Sequence, residues 1–188
     1  KKIEFFKKNY INVISIGRLT DQKDHLTSVK AIKILKPNLK LKMIIIGKGI
    51  NKSLLENFIQ DHKLDNKIKL IGYKKNPYPY LKKSDIVLLS SKYEGLPNVL
   101  LEAQFLKKYI ISTDCPTGPR EILLNGKAGD LVNIGDYKKI AYLINTYKKR
   151  KKSINYKIKI GYNNFYRFDY DLNCKKYLDF VNKNFNSN

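Results

Sequence analysis

The chain has 188 residues, 43% of them hydrophobic, and 38 Lys and Arg against 16 Asp and Glu give it a formal charge of +22. That length suits one domain with a well-buried core, and that apolar content excludes a disordered tail. No apolar run approaches the ~20 residues of a membrane-spanning helix, and Lys1-Lys2-Ile3-Glu4-Phe5-Phe6 has neither the apolar core nor the cleavage site of a signal peptide.

Short apolar runs alternate with helical patterns from residue 11 to about residue 150. Ile11–Ile16 is the first β-branched run. Leu26, Val29, Ile32 and Leu35 then repeat at helical spacing until Pro37-Asn38 stops them. Leu41–Ile46, residues 68–71, Ile86–Leu89, residues 109–112 and, more weakly, Asp130–Val132 read as further strands. Ile140, Leu143, Ile144 and Tyr147 form a helical stripe, as do Cys174, Tyr177, Leu178 and Val181. Between them, residues 148–152 are all Lys or Arg and read as an exposed helix end or connector. Residues 153–184 read as two more helices that either complete this domain or pack on a neighbouring one. Near-continuous apolar strands alternating with helices predict an α/β fold. It is a Rossmann-like, doubly wound parallel sheet of about six strands with helices on both faces. Ligands of such sheets sit beyond the carboxyl ends of the strands, where strand order reverses. The loops beginning at Gly17, Gly47, Gly72, Ser90 and Thr113 are therefore the places to look for chemistry.

In the first loop Arg18 and Lys23 lie five residues apart before a helix that starts near Asp24. Two cations at a strand end suit a diphosphate, Arg by bidentate hydrogen bonds and Lys as a point charge, although a solvated surface pair has the same spacing. Gly47-Lys48-Gly49 lacks the third glycine of a dinucleotide fingerprint, and no Walker-type loop is present, which counts against dehydrogenase and ATPase chemistry. The fourth loop runs from Ser90 through Lys92-Tyr93-Glu94-Gly95-Leu96-Pro97-Asn98 into a helix. Pro97 suits a first helical turn. Gly95 admits close backbone approach, and the amides of Asn98 and Val99 would face an anion at the positive end of the helix dipole. Glu94 precedes the helix and Glu102 follows Asn98 by one turn. Carboxylates repel phosphate and accept hydrogen bonds from hydroxyls. An anion with hydroxyls on both sides describes a nucleotide-sugar; a plain capped helix with solvent-facing Glu is the alternative for this loop alone. Thr113 to Glu121 forms a second wall of the cleft, with Pro119 at a helix start. Cys115 within it has no nearby base in sequence, His62 being 53 residues away, and is not expected to act as a nucleophile.

In this order the loops resemble the C-terminal domain of the retaining GT-B glycosyltransferases of family 4, over about residues 11–147. The most specific match is Glu94-x7-Glu102, set within Ser91 to Ala103. Gly17-Arg18 with Lys23, Ile46 to Gly49, Leu70 to Tyr73 and Thr113-Asp114 support it. The resemblance implies that Arg18 and Lys23 bind the donor diphosphate and stabilise the leaving nucleoside diphosphate, with Gly17 at the same turn. Glu94 would contact the donor sugar, with Arg18, Lys23 and Glu94 forming the catalytic set. Glu102 would hold the ribose hydroxyls. The backbone of Gly95, Leu96, Pro97, Asn98 and Val99 would hold the distal phosphate and sugar, and Gly72, Tyr73 and Lys74 the base. The implied reaction transfers a sugar, UDP-linked by preference, to a glycan or lipid-linked acceptor with retention, and it uses no metal and no cofactor. The Cys115 to Glu121 run resembles bacterial surface-glycan enzymes of lipopolysaccharide or capsule synthesis that use UDP-hexoses or their N-acetyl forms. The resemblance also divides the chain. Residues 1–10 would be a linker from an absent N-terminal acceptor domain, 11–150 the nucleotide-sugar domain, and 151–188 helices that cross to the absent partner.

The charge has three readings. The basic residues are spread along the chain and only four are Arg, alongside abundant Asn and Ile. This is the pattern of compositional bias, and no nucleic-acid partner is expected. A basic nucleic-acid module remains the alternative from a different class, and a GT-B-like epimerase the alternative within the fold. The charge would also hold the protein at an anionic membrane, at ~1 kcal/mol for each well-placed Lys. Cys115 and Cys174 are isolated and match no metal spacing, which suggests a reducing compartment. A cytoplasmic protein is expected, at the inner face of the plasma membrane if its charge acts there.

Overall fold

Six parallel strands form one sheet in the computed structural model, which describes residues 5–185. They are β1 (Ile11–Ile16), β2 (Leu41–Ile46), β3 (Ile68–Leu70), β4 (Ile86–Leu89), β5 (Tyr109–Thr113) and β6 (Asp130–Val132). Their order is β3-β2-β1-β4-β5-β6. Ile11 stands opposite Leu41, Val13 opposite Ile86, and Leu89 opposite Ser112. After β3, at one edge, the chain returns to the centre as β4. Strand order thus reverses between β1 and β4, and a crevice opens there at the carboxyl ends. The doubly wound sheet expected from the apolar runs is the one observed.

The strands are mostly apolar, with exceptions such as Asn12, Lys42 and Lys69, because both faces of the sheet are covered. Val13, Met43, Ile45, Leu88 and Ile111 point into one core, beneath α1 (His25–Lys33), α2 (Lys52–Asp61) and α6 (Tyr137–Asn145). Ile14, Ile44, Ile46, Val87 and Ile110 point into the other, beneath α3 (Tyr78–Lys83), α4 (Asn98–Phe105) and α5 (Pro119–Ile122). Each such side chain, fully buried, contributes about 1.5–3 kcal/mol. Helix α1 is capped by Asp24, whose carboxylate accepts from Thr27 N, and this fixes where the first loop ends. The pattern of apolar residues did not indicate α2 and α3. Only Leu55 and Ile59 of α2 and Leu81 of α3 are buried, too few to make a stripe.

Helix α7 (Lys151–Asn163) packs on this domain, with Ile154 in the first core. The basic run at 148–152 is not uniformly exposed as expected. Arg150 turns inward, its Nη2 2.5 Å from Asp130 Oδ2, while Lys157 Nζ lies 3.0 Å from Oδ1. The buried Tyr109 hydroxyl donates to the same carboxylate. A half-buried carboxylate needs compensating donors, and Arg150 is held in by that need. Burial alone would raise the Asp130 pKa, but the hydrogen bonds from Tyr109, Arg150 and Lys157 outweigh it and hold the carboxyl below its usual range. A 3-10 turn (Phe165–Phe168) leads to α8 (Tyr170–Phe185), which leaves Tyr170, Tyr177, Leu178 and Phe180 exposed. Of the expected linker, residues 1–4 lie outside the described residues, while Phe5 and Phe6 pack against the second core. Among the described residues no helix is long and apolar enough to cross a membrane.

Candidate functional site

The carboxyl ends of β1 and β4 bring the first and fourth loops together at the crevice. Gln22 laces them: its Nε2 donates to Tyr93 O at 3.1 Å, its carbonyl accepts from Lys92 N at 2.8 Å, and its Oε1 accepts from Arg18 Nη2 at 3.1 Å. Ser90 Oγ adds a bond to Asp24 O at 2.7 Å. The second loop packs on the first so closely that a Cβ on Gly47 would stand 1.9 Å from Gly17 O. The demand for glycine at 47 therefore comes from the neighbouring backbone and not from a ligand. At Gly72 and Gly95 the space is open, with no atom within 4 Å of a built Cβ.

Lys23 and Glu94, 71 residues apart, meet at the centre. Lys23 Nζ lies 2.6 and 2.8 Å from the two Glu94 oxygens, and the side chains are only 16% and 6% exposed. Ser91 Oγ donates to Glu94 Oε1 at 2.5 Å. Glu94 is thus neither the solvent-facing Glu of a plain cap nor a free carboxylate, and without ligand Lys23 is committed to it. Gly17, Arg18, Tyr73 and Lys74 line a neighbouring cleft of about 400 Å³, a size that suits a small ligand, joined by Lys48 and Lys75. Among the described residues no carboxylate lines that cleft. Lys48 Nζ stands 5.8 Å from the Tyr73 ring centre.

Helix α4 starts at Asn98 without a side-chain cap or an acid in its first turn, so the amides of Asn98 and Val99 are available to an anion. Glu102, one turn on, accepts from the Tyr78 hydroxyl at 3.3 Å. Burial raises the Glu102 pKa, and the Tyr78 bond opposes that shift. The expected residues do not all share one cavity. Leu96 and Asn98 open instead onto a second, apolar cleft of about 660 Å³ between α4 and α8, with Glu94 on the loop before them. Pro97 is buried, and Val99 packs partly into the second core. Cys115 is buried beside this site, and burial pushes its thiol up, so it is a poor nucleophile at neutral pH. Among the described residues no group of three or more His, Cys, Asp or Glu could hold a metal ion.

Two contributors were invisible in the sequence. Tyr78 follows Pro77 in a stretch with no helical stripe. His25, the first residue of α1, is buried with Nδ1 3.1 Å from Ser15 Oγ, and the backbone of Gly17 and Arg18 lies close to its ring. Burial lowers its pKa from 6.5 to about 4, so it is neutral and supports the first loop from below.

The profile described as "Glycosyl transferases group 1" matches residues 1–164. A protein named an uncharacterized glycosyltransferase in Methanocaldococcus jannaschii is 46% identical over 121 residues, covering 63% of this chain and 29% of its own length. A 4-alpha-N-acetylgalactosaminyltransferase of Campylobacter jejuni, named for a diphospho-undecaprenol-linked acceptor, is 34% identical over 122 residues, covering 65% and 33%. The chain thus spans about a third of the length of these relatives. Among solved structures, Anabaena HepE in complex with UDP superposes with a TM-score of 0.83 at 19% identity, covering 93% of this chain and 49% of that one. The pneumococcal O-GlcNAc transferase GtfA with UDP and GlcNAc gives 0.80 at 22%, covering 92% and 35%. These two likenesses are of fold. With the profile spanning most of its residues, the chain belongs to the glycosyl transferases group 1 family.

Proposed function

We propose that this chain is the donor-binding half of a two-domain GT-B glycosyltransferase. The whole enzyme would transfer a hexosyl or N-acetylhexosaminyl group from a UDP-sugar to a glycan or lipid-linked acceptor, with retention of configuration. The observation that carries this reading is the part-buried Lys23–Glu94 pair at the point where strand order reverses, beside a cation-lined cleft. Arg18 and Lys23 take the diphosphate, Gly17 lies at the same turn, and the Asn98 and Val99 amides take the outer phosphate. Glu94 addresses the sugar, Glu102 the ribose, and Gly72 to Lys74 the base. The cations and the α4 dipole supply the positive charge that metal-dependent enzymes draw from an ion. The name of the Campylobacter jejuni relative supports a lipid-linked acceptor, and the UDP held by fold neighbours supports the nucleotide. The exposed apolar side of α8 is where the remainder of such a protein would pack, and the charge of +22 suits an anionic membrane face.

Calorimetry with UDP and then GDP tests the site. UDP should bind, and Arg18→Ala, which alters an exposed side chain, should weaken it by about 10- to 150-fold as expected for a charge-assisted contact. A folded domain that binds neither nucleotide rejects the assignment.

A further inference from the structure

We propose that Thr117 is a positioning residue, holding the backbone of Glu94 so that its carboxylate meets the donor sugar in one orientation; this rests on the donor-site reading above. Thr117 is β-branched and yet sits in the left-handed region at φ 58°, followed by Gly118 at φ 82°. That conformation is costly for a β-branched side chain and persists only where the surroundings impose it. Core packing does not impose it, because Thr117 is exposed. The visible return is the grip on Glu94. Thr117 Oγ1 donates to Glu94 O, and Glu94 N donates to Pro116 O at 3.2 Å. Both polar groups of the Glu94 main chain are therefore held by consecutive residues of the β5–α5 loop.

Two further contacts bind the same loops. Thr113 Oγ1 donates to Ser91 O at 2.6 Å. At Gly118 a Cβ would stand 2.3 Å from Gly95 O and 2.6 Å from Pro97 Cδ, so the turn is pressed against the Glu94 loop. With the main chain fixed, Ser91 and Lys23 set the carboxylate. The β5–α5 loop thus acts as a clamp on the sugar-facing residue. It is more than the second wall of a cleft that the sequence suggests.

The experiment compares Thr117→Gly, which removes both the hydroxyl and the strain, with Thr117→Ser, which keeps the hydroxyl. For each, Tm is measured, together with dissociation constants for UDP and for UDP-glucose, UDP-galactose and their N-acetyl forms. The glycine variant should melt no lower than wild type and bind UDP equally well. Its ratio of UDP-sugar to UDP dissociation constants should rise by about fivefold, the scale of one lost hydrogen bond. The serine variant should keep the wild-type ratio. An unchanged ratio in Thr117→Gly overturns the proposal, as does a joint fall of Tm and of both affinities, which would mark a purely structural turn. Failure of the wild-type domain to bind UDP or any UDP-sugar overturns the donor-site reading, and this inference with it.

Discussion

His25 offers a pH test of how the first loop is supported. Its ring is buried and neutral, with a pKa brought down from 6.5 to about 4 by burial. Because the folded pKa is depressed, the unfolded chain binds the proton first. Stability is therefore complete above pH 6.5 and is lost as pH falls toward the folded pKa. Each unit of separation is worth about 1.4 kcal/mol. Between about pH 7.5 and about pH 5, above most carboxylate titration, the loss from this one ring is about 2 kcal/mol. Below pH 4 it approaches about 3 kcal/mol. Urea denaturation at the two pH values, on wild type and His25→Gln, isolates the effect, since His62 is common to both and cancels. The wild type should lose about 2 kcal/mol more than the variant. Equal losses would mean that the ring is hydrated or already paired in its charged form, and would refute the picture of a dry, neutral support.

Three further perturbations follow from the charges. Lys23→Ala leaves the Glu94 carboxylate buried without its partner and should cost about 3–5 kcal/mol by chemical denaturation, with most of the loss recovered in Lys23→Ala/Glu94→Gln; a single-variant cost below about 1 kcal/mol would show the pair to be solvated. Asp130→Asn should destabilise at neutral pH. The wild-type carboxyl is held below 3.8, so its contribution is present above that value and lost as pH falls through the depressed pKa; the gap between the two proteins in pH-dependent denaturation should close in strong acid. Flotation with anionic vesicles should recover more protein than flotation with neutral ones, and equal recovery would discard the membrane proposal.

The strands were legible because a strand covered on both faces is largely apolar, as Leu41–Ile46 is at every position but Lys42. Helix α1 was legible for the complementary reason: one face is buried, so Val29 and Ile32 recur at its period. Helices α2 and α3 bury too few side chains to leave a period. In the candidate site, Glu94 to Glu102 could be located because a loop and a helix start are local features. The partner of Glu94 could not, since Lys23 reaches it only through the β1–β4 pairing. Arg150 shows the same limit. Within five consecutive basic residues nothing distinguishes the one that Asp130 draws inward, because the distinction lies in the approach of α7 to β6. The strain at Thr117 is equally silent, since the residue type there argues against the conformation it adopts.

The pairing of Lys23 with Glu94 means that the crevice carries its own stand-in for a ligand. A diphosphate that takes Lys23 must first draw it away from a carboxylate to which it already bonds twice, so measured affinity reports an exchange and understates the new contacts. The same bond reforms as the diphosphate departs, and it lowers the cost of vacating the crevice. On the donor-site proposal, a departing nucleoside diphosphate would be replaced at Lys23 by a group already in the protein, which weakens its retention.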